Sequence, residues 1–315
     1  MQAREVGELA VIRQLRGIFD APRADVLVAN GDDAAVWQPD GPVVATVDSV
    51  VAGVDWLVDR TPAAAIGHRA AAVNLSDLAA MGAQPRLLLL ALEVPPDQDV
   101  GELLAAARGL QALAGQHGAL VVGGDLGLSP GPARWTVTAL GTLRAPPMRR
   151  DQVRPGDVLW LAGAVGQAAL GLAALRMGDD QPRLIAAHLW PQPLVALGLQ
   201  LQAVGVRAAI DVSDGLGLDA QRLAEASGVD LTLDLPTPDW LTPDVRAWLE
   251  ARELDWRTAC AQGGDDYALL CAAAPGLDLA PLGAWPIGRA EAGTGRVHLQ
   301  IGARPCTVQG FRHGG

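Results

Sequence analysis

Along the chain, apolar and polar positions alternate in short strand-like and helix-like stretches of mixed order. Leu9, Ile12, Leu15 and Ile18 recur at helical spacing and predict a helix over residues 5–18. Short apolar runs at Asp25–Ala29, Val43–Val47, Leu87–Val94 and Trp135–Leu140 predict strands. Two longer helical patterns lie between them. The first takes Thr61 as its N-cap and Pro62 as its first helical residue, and runs to Met81 before Gly82. The second runs from Val100 to His117 and stops at Gly118. This irregular succession predicts an α+β or mixed α/β fold.

Residues 144–157, RAPPMRRDQVRPGD, are polar and rich in Pro and Arg, and apolar patterning restarts directly after them. A domain boundary is expected there, giving an N-terminal domain over 1–148 and a C-terminal domain over 149–315. In the second domain, strand-like runs (Val158–Ala162, Ala208–Val212, Leu231–Leu233, Tyr267–Ala272) alternate with helical ones (Gln167–Met177, Leu194–Val204, Leu218–Ser227, Pro243–Arg252). That alternation predicts α/β layering.

Charge narrows the partners. With 24 basic against 35 acidic residues the net charge is −11, so long-range repulsion excludes nucleic acid and anionic membrane as expected partners. All 24 basic residues are Arg. Without Lys there is neither a Schiff-base enzyme nor a P-loop of the G-x-x-x-x-G-K-[ST] kind. Cys260, Cys271 and Cys306 are scattered and predict reduced thiols, not a disulfide framework or a zinc site. No apolar leader precedes a cleavage site, and the longest dense apolar stretch, Leu87–Leu92, is far short of the roughly 18 residues of a membrane span. A cytoplasmic protein is expected.

The candidate chemistry lies in the aspartates, which outnumber Glu 27 to 8. Asp32 and Asp33 follow Gly31, Asp48 ends a strand-like run, Asp77 sits in NLSDLAAMGA, and Asp125 follows LVVGG. Asp211 and Asp214 flank Ser213, and Asp265 and Asp266 follow Gly263-Gly264. A single Asp beside Gly is most simply a turn. Several such groups at strand ends are where loops assemble a site, and hard oxygen donors without grouped His or Cys suit Mg²⁺ with phosphates. Gly163 and Gly166, between a strand and a helix, read either as a common turn or as a phosphate seat on the helix N-terminus.

The blocks GDDAAV (31–36), VDSVVAGVDW (47–56), AVNLSDLAAMGAQP (72–85), VGGD (122–125), RRDQVRPGD (149–157), IDVSDGLGLD (210–219) and GGDDYALL (263–270) resemble, in this order and spacing, thiamine-monophosphate kinase. The resemblance runs from the segment GELAVIRQL to about Gly288 and Arg289. It implies a two-domain fold shared with aminoimidazole ribonucleotide (AIR) synthetase and selenophosphate synthetase. In that fold an N-terminal β-rich domain with helices dimerises and the C-terminal domain is α/β. It also implies ATP-dependent phosphorylation of thiamine monophosphate to thiamine diphosphate with several Mg²⁺ ions, in a homodimer.

By matched position, the resemblance assigns metal binding to Asp33, Thr46, Asp48, Asp77, Asp125, Asp211 and Asp214. It assigns nucleotide contacts to Gly124, Asp125, Arg150 and Ser213, and the acceptor to Asp55, Asp265 and Phe311. No general base is implied. The chain departs from the family pattern at Asp55, where His is usual, at Asp265, where Glu is usual, and at Leu194, where Arg is usual. Trp56 reads either as a ring stacked on the acceptor or as core. A sister activity on the same fold and a silent nucleotide-binding dimer are the alternatives.

Overall fold

The structure is a computed structural model describing residues 1–20 and 22–310. It divides into two compact units: Met1–Leu78 with Ala83–Arg144, and Ala79–Gly82 with the residues from Ala145 onward. Each is described by itself.

The first unit begins with α1 (Ala3–Val6) and α2 (Glu8–Phe19), two helices where the periodicity predicted one. Gly7, at φ 82°, breaks the helix between them. Strands β1 (Val26–Val28) and β2 (Val36–Trp37) form a hairpin, followed by β3 (Val43–Val51). Then come α3 (Ala63–Ala80), β4 (Gln84–Val94), α4 (Val100–Gln116), β5 (Leu120–Leu128) and β6 (Arg134–Thr142). The Thr61 hydroxyl has no hydrogen-bond partner, so the expected side-chain cap is not made. The N–H of Ala65, in the first turn, reaches the Pro62 carbonyl at 2.9 Å. Asp99 does cap α4, accepting the N–H of Glu102 at 3.0 Å.

The four-stranded sheet has the order β3-β6-β4-β5, with β4 and β5 parallel and the other pairs antiparallel. One face carries Val50, Val137, Leu88, Leu90, Leu92 and Leu126, all buried. On the other, Val47, Thr138 and Leu89 stand in one row across β3, β6 and β4. Val43, Val47 and Leu89 there are exposed.

The second unit runs β7 (Val158–Ala162), α5 (Gln167–Met177), α6 (Pro182–Leu189), α7 (Val195–Ala203), β8 (Ala208–Val212), α8 (Leu216–Ser227) and β9 (Val229–Leu235). It continues with α9 (Pro243–Ala251), α10 (Trp256–Gln262), β10 (Ala268–Ala273), β11 (Ala284–Ala292), β12 (Val297–Ile301) and β13 (Arg304–Cys306). Its seven-stranded sheet is ordered β13-β12-β9-β11-β7-β10-β8, with only the β9–β12 pairing parallel. Alternate residues feed two cores. Leu159, Leu161, Ile210, Val212 and Leu270 pack with α5, α8 and α10, while Trp160, Ala162, Leu269 and Cys271 pack with α7 residues such as Leu201. All three cysteines are free thiols. Among the described residues no helix is long and apolar enough to cross a membrane.

Candidate active site

In the first unit a cavity of about 910 Å³ lies between α2, the loop 30–35 and the strands β4 and β5. Three of the expected residues, Asp33, Gly124 and Asp125, line it. The loop is held from both sides. Asn30 donates its side-chain amide to the Val121 carbonyl at 2.8 Å, and its own carbonyl accepts from Arg16 at 3.0 Å. Within the loop, the N–H of Asp33 is bonded to the Asp32 carboxylate at 2.9 Å. Gly124 is glycine for want of room, since a Cβ there would stand 2.0 Å from the Leu90 carbonyl oxygen. The strands thus close up beside Asp125, whose carboxylate is exposed.

Arg16 is the residue the sequence reading missed. It sits on the cavity-facing side of α2, one turn from Ile12, and lines the cavity that Asp33 and Asp125 also line. The signal was present in the helical spacing, which places residue 16 on the same stripe as Leu9 and Ile12.

Thr46 and Asp77 also meet, the hydroxyl on β3 donating to the carboxylate on α3 at 2.5 Å. Asp48, two residues along the same strand, accepts the N–H of Ser49 at 2.7 Å. The register runs Asp48, Val137, Leu90, Gly124 from one sheet edge to the other. Three strand spacings, about 14 Å, therefore separate the strands bearing Asp48 and Asp125, and the pleat turns those side chains to opposite faces. Asp55 closes a turn, its carboxylate accepting the Val51 N–H at 2.7 Å. Trp56 is 5% exposed, so of its two readings the structure chooses core.

In the second unit Asp211, the penultimate residue of β8, is buried, while Ser213 and Asp214 lie in the turn before α8. Asp214 is wired into that helix: its N–H donates to Asp219 at 2.9 Å, and Arg222 bridges Asp214 at 2.6 Å and Asp219 at 2.7 Å. Burial raises the Asp219 carboxyl to about 6 despite those bonds. Arg150 is exposed, and its carbonyl accepts from the Ser227 hydroxyl at 2.6 Å. Asp265 lies in the loop joining α10 to β10, and its carboxylate accepts the Tyr267 hydroxyl at 2.9 Å. The N-terminus of α5, a possible phosphate seat in the sequence, is taken by Asp266, which accepts Gly166 N–H at 2.6 Å and Ala168 N–H at 3.1 Å. Phe311 lies outside the described residues.

Among the described residues, no three or more His, Cys, Asp or Glu side chains are gathered closely enough to hold an ion. The donors nevertheless fit Mg²⁺, which keeps several waters and takes only one or two protein carboxylates together with substrate phosphates. Exposed Asp33 and Asp125, which line the same cavity, supply such hard oxygens.

The chain matches the family of AIR synthase related proteins in both parts, the N-terminal domain over residues 31–143 and the C-terminal domain over 154–300. Fold and site thus define an AIR synthase related protein. The thiamine-monophosphate kinase of Mycobacterium tuberculosis is 36% identical over 301 residues, which cover 93% of this chain and 88% of that one. That of Salmonella typhimurium is 35% identical over 86% of this chain and 84% of its own. The crystal structure of thiamine-monophosphate kinase from Stenotrophomonas maltophilia superposes with a TM-score of 0.80 at 36% identity, covering 95% of this chain and 98% of that chain. AaThiL complexed with AMPPCP and TMP gives 0.78 at 27% identity over 99% of each chain. This chain belongs to the thiamine-monophosphate kinase family and is an ATP-dependent phosphotransferase.

Proposed function

We propose that the chain transfers the γ-phosphoryl group of ATP to the phosphate of thiamine monophosphate, giving thiamine diphosphate and ADP. The observation that carries this reading is the convergence of Asp33, Gly124 and Asp125, matched to the family's metal and nucleotide positions, on one cavity. The acceptor needs no general base. A phosphate monoester has a second pKa near 6, so at pH 7 it is already largely a dianion.

The barrier is repulsion between phosphates. Two unit charges about 4 Å apart repel by roughly 4 kcal/mol at an effective dielectric near 20, and multiply charged groups by several times more. Mg²⁺, when bound, supplies the neutralising charge that phosphoryl transfer requires. Asp33, Asp48, Asp77 with Thr46, Asp125, Asp211 and Asp214, by matched position, are the candidates among which several such ions would each find one or two carboxylates. Arg16 adds a fixed positive charge to the cavity wall and orients phosphate oxygens through its planar fork. By matched position, Gly124, Arg150 and Ser213 are the candidate nucleotide contacts, and Asp55 and Asp265 the candidate acceptor contacts.

The protein acts as a cytoplasmic homodimer in this reading. The free thiols and the exposed apolar row of Val43, Val47 and Leu89 support it. The test of function is to incubate pure protein with Mg-ATP and either thiamine monophosphate or thiamine, and to identify the products by chromatography. Thiamine diphosphate from the monophosphate alone is expected; phosphorylation of free thiamine, or ATP turnover indifferent to the acceptor, contradicts the reading.

A further inference from the structure

Helix α2 is seated by one stripe, Val11, Leu15 and Phe19, all buried where the helix packs on α4 and β5. That stripe fixes the rotation of the helix, and with it the direction in which the next residue sets out. The residue after Leu15 is Arg16, whose exposed side chain crosses to the loop 30–33. Its Nη2 donates to the Asn30 carbonyl at 3.0 Å. The guanidinium also lies against Gly31, where a Cβ would stand 2.2 Å from Nη2 and 2.7 Å from Cζ. Glycine is needed there twice over, because the φ of 119° is one that residues with a Cβ rarely adopt. From the other side, the Asn30 side-chain amide donates to the Val121 carbonyl of β5 at 2.8 Å.

Both ties meet on Asn30, so the loop is pinned between α2 and β5 at its first residue. The two acids beyond the pin are used differently. The Asp32 carboxylate closes the turn by accepting the Asp33 N–H at 2.9 Å, while Asp33 lines the same cavity as Arg16, Asn30, Gly124 and Asp125. We propose that Arg16 is a positioning residue for Asp33: through Asn30 and Gly31 it holds the loop so that the Asp33 carboxylate stays on the cavity as a ligand for a divalent cation bearing phosphate oxygens. The proposal rests on the reading of Asp33 as a metal position. Mg²⁺ demands near-octahedral geometry and takes few protein carboxylates, so the place of each one matters. Groups that orient a metal ligand are typically worth about 10–100-fold in metal affinity. This role is separate from the charge Arg16 brings to phosphate, because the loop is held before any phosphate arrives.

The experiment uses the full chain with Arg16→Met, Asn30→Ala and Asp33→Asn. Backbone order parameters of residues 31–34 are measured by NMR relaxation without ligand, Mn²⁺ affinity by electron paramagnetic resonance at saturating AMPPCP, and stability by thermal melting. Arg16→Met keeps a long side chain that cannot donate, and Asn30→Ala removes the second tie without changing any charge. Each is expected to lower the order parameters from about 0.85 toward 0.6 and to weaken Mn²⁺ binding about tenfold, with melting close to that of the parent. Asp33→Asn is expected to weaken Mn²⁺ binding at least as much and to leave the order parameters unchanged. Parental order parameters in Arg16→Met overturn the proposal, since the loop is then held without it. A loosened loop with parental Mn²⁺ affinity overturns it as well, because the tie then does not set Asp33. If Arg16→Met weakens Mn²⁺ binding while Asn30→Ala loosens the loop and binds Mn²⁺ normally, the effect belongs to the charge, and positioning is again overturned. A collapse of melting in both tie variants makes the contacts purely structural and overturns it too. Parental Mn²⁺ affinity in Asp33→Asn removes the metal reading of Asp33, and the proposal with it.

Discussion

On the outer face of the four-stranded sheet, Val43 and Val47 are 48% and 62% exposed, whereas every residue of β8 and β10 in the seven-stranded sheet is buried. The carboxylates differ in the same way. In the first unit Asp33, Asp48 and Asp125 are exposed, while in the second Asp214, Asp219 and Asp266 are bound to Arg222 or to backbone N–H groups. The second unit ties these carboxylates and covers these strands from within its own chain. The first leaves an apolar face toward solvent and keeps the exposed carboxylates of Asp33 and Asp125 on the lining of its cavity.

The largest expected effect lies in the scaffold. Ile210→Ala removes a side chain 1% exposed in the core shared by β8, β10 and α8, and is expected to cost about 2–5 kcal/mol in chemical denaturation. Val47→Ala in the first unit should stay within about 0.5 kcal/mol when measured on the isolated protomer. Equal costs would erase the contrast between the two sheets.

Next comes Asp125→Asn, which keeps the volume of an exposed side chain and removes its charge. A drop in kcat of about a hundredfold or more, roughly 2.7 kcal/mol in barrier, is expected with little change in melting temperature. If Asp125 were a turn former only, melting would fall and turnover persist. A third change, Val47→Asp, places a charge in the exposed apolar row. Sedimentation is expected to show the parent as a dimer and the variant with its dissociation constant raised about tenfold or more. Indistinguishable profiles would remove this face as the interface.

These contrasts also mark how much was legible in the sequence. Segments buried on both faces, or with a clear stripe, were read close to their bounds: α5 and β8 match residue for residue because their apolar runs end at glycine or polar turns. The short α6 and α10 and the strands β11–β13 were not read. AWPIGRAEA carries Pro286, Gly288 and two charged residues in a strand half exposed to water, so no period of two survives. Of the candidate aspartates, Asp33 and Asp125, which line the cavity, stand out in the sequence because each comes one or two residues after a glycine that follows an apolar run. Arg16 and the Asp214–Arg222–Asp219 bridge do not, because they depend on which face of a helix meets which loop, and local spacing does not state that. The two readings of the Gly163–Gly166 turn stayed open for a related reason: the carboxylate that fills the α5 N-terminus comes from about a hundred residues away in the chain.

The smallest effect concerns pH. In the second unit the Arg252 guanidinium, with help from the Trp248 indole, lowers the Asp179 carboxyl to about 2. A carboxyl held below its unfolded value of 3.8 contributes stability above that pH and loses it as pH falls toward 2. Asp179→Asn should therefore lower the melting temperature modestly at neutral pH, with the gap to the parent closing between about pH 4 and 2. A gap independent of pH would mean that packing, not charge, is lost.

The central claim is that the exposed carboxylates of the first unit serve phosphoryl transfer to a phosphate acceptor. It is tested most directly by following label from γ-labelled ATP, with Mg²⁺ and thiamine monophosphate, through the parent and the Asp125→Asn chain. The account predicts label in thiamine diphosphate with one ADP formed per product, and near-complete loss of that label in the variant. Label released only as inorganic phosphate, or undiminished transfer by Asp125→Asn, would contradict it.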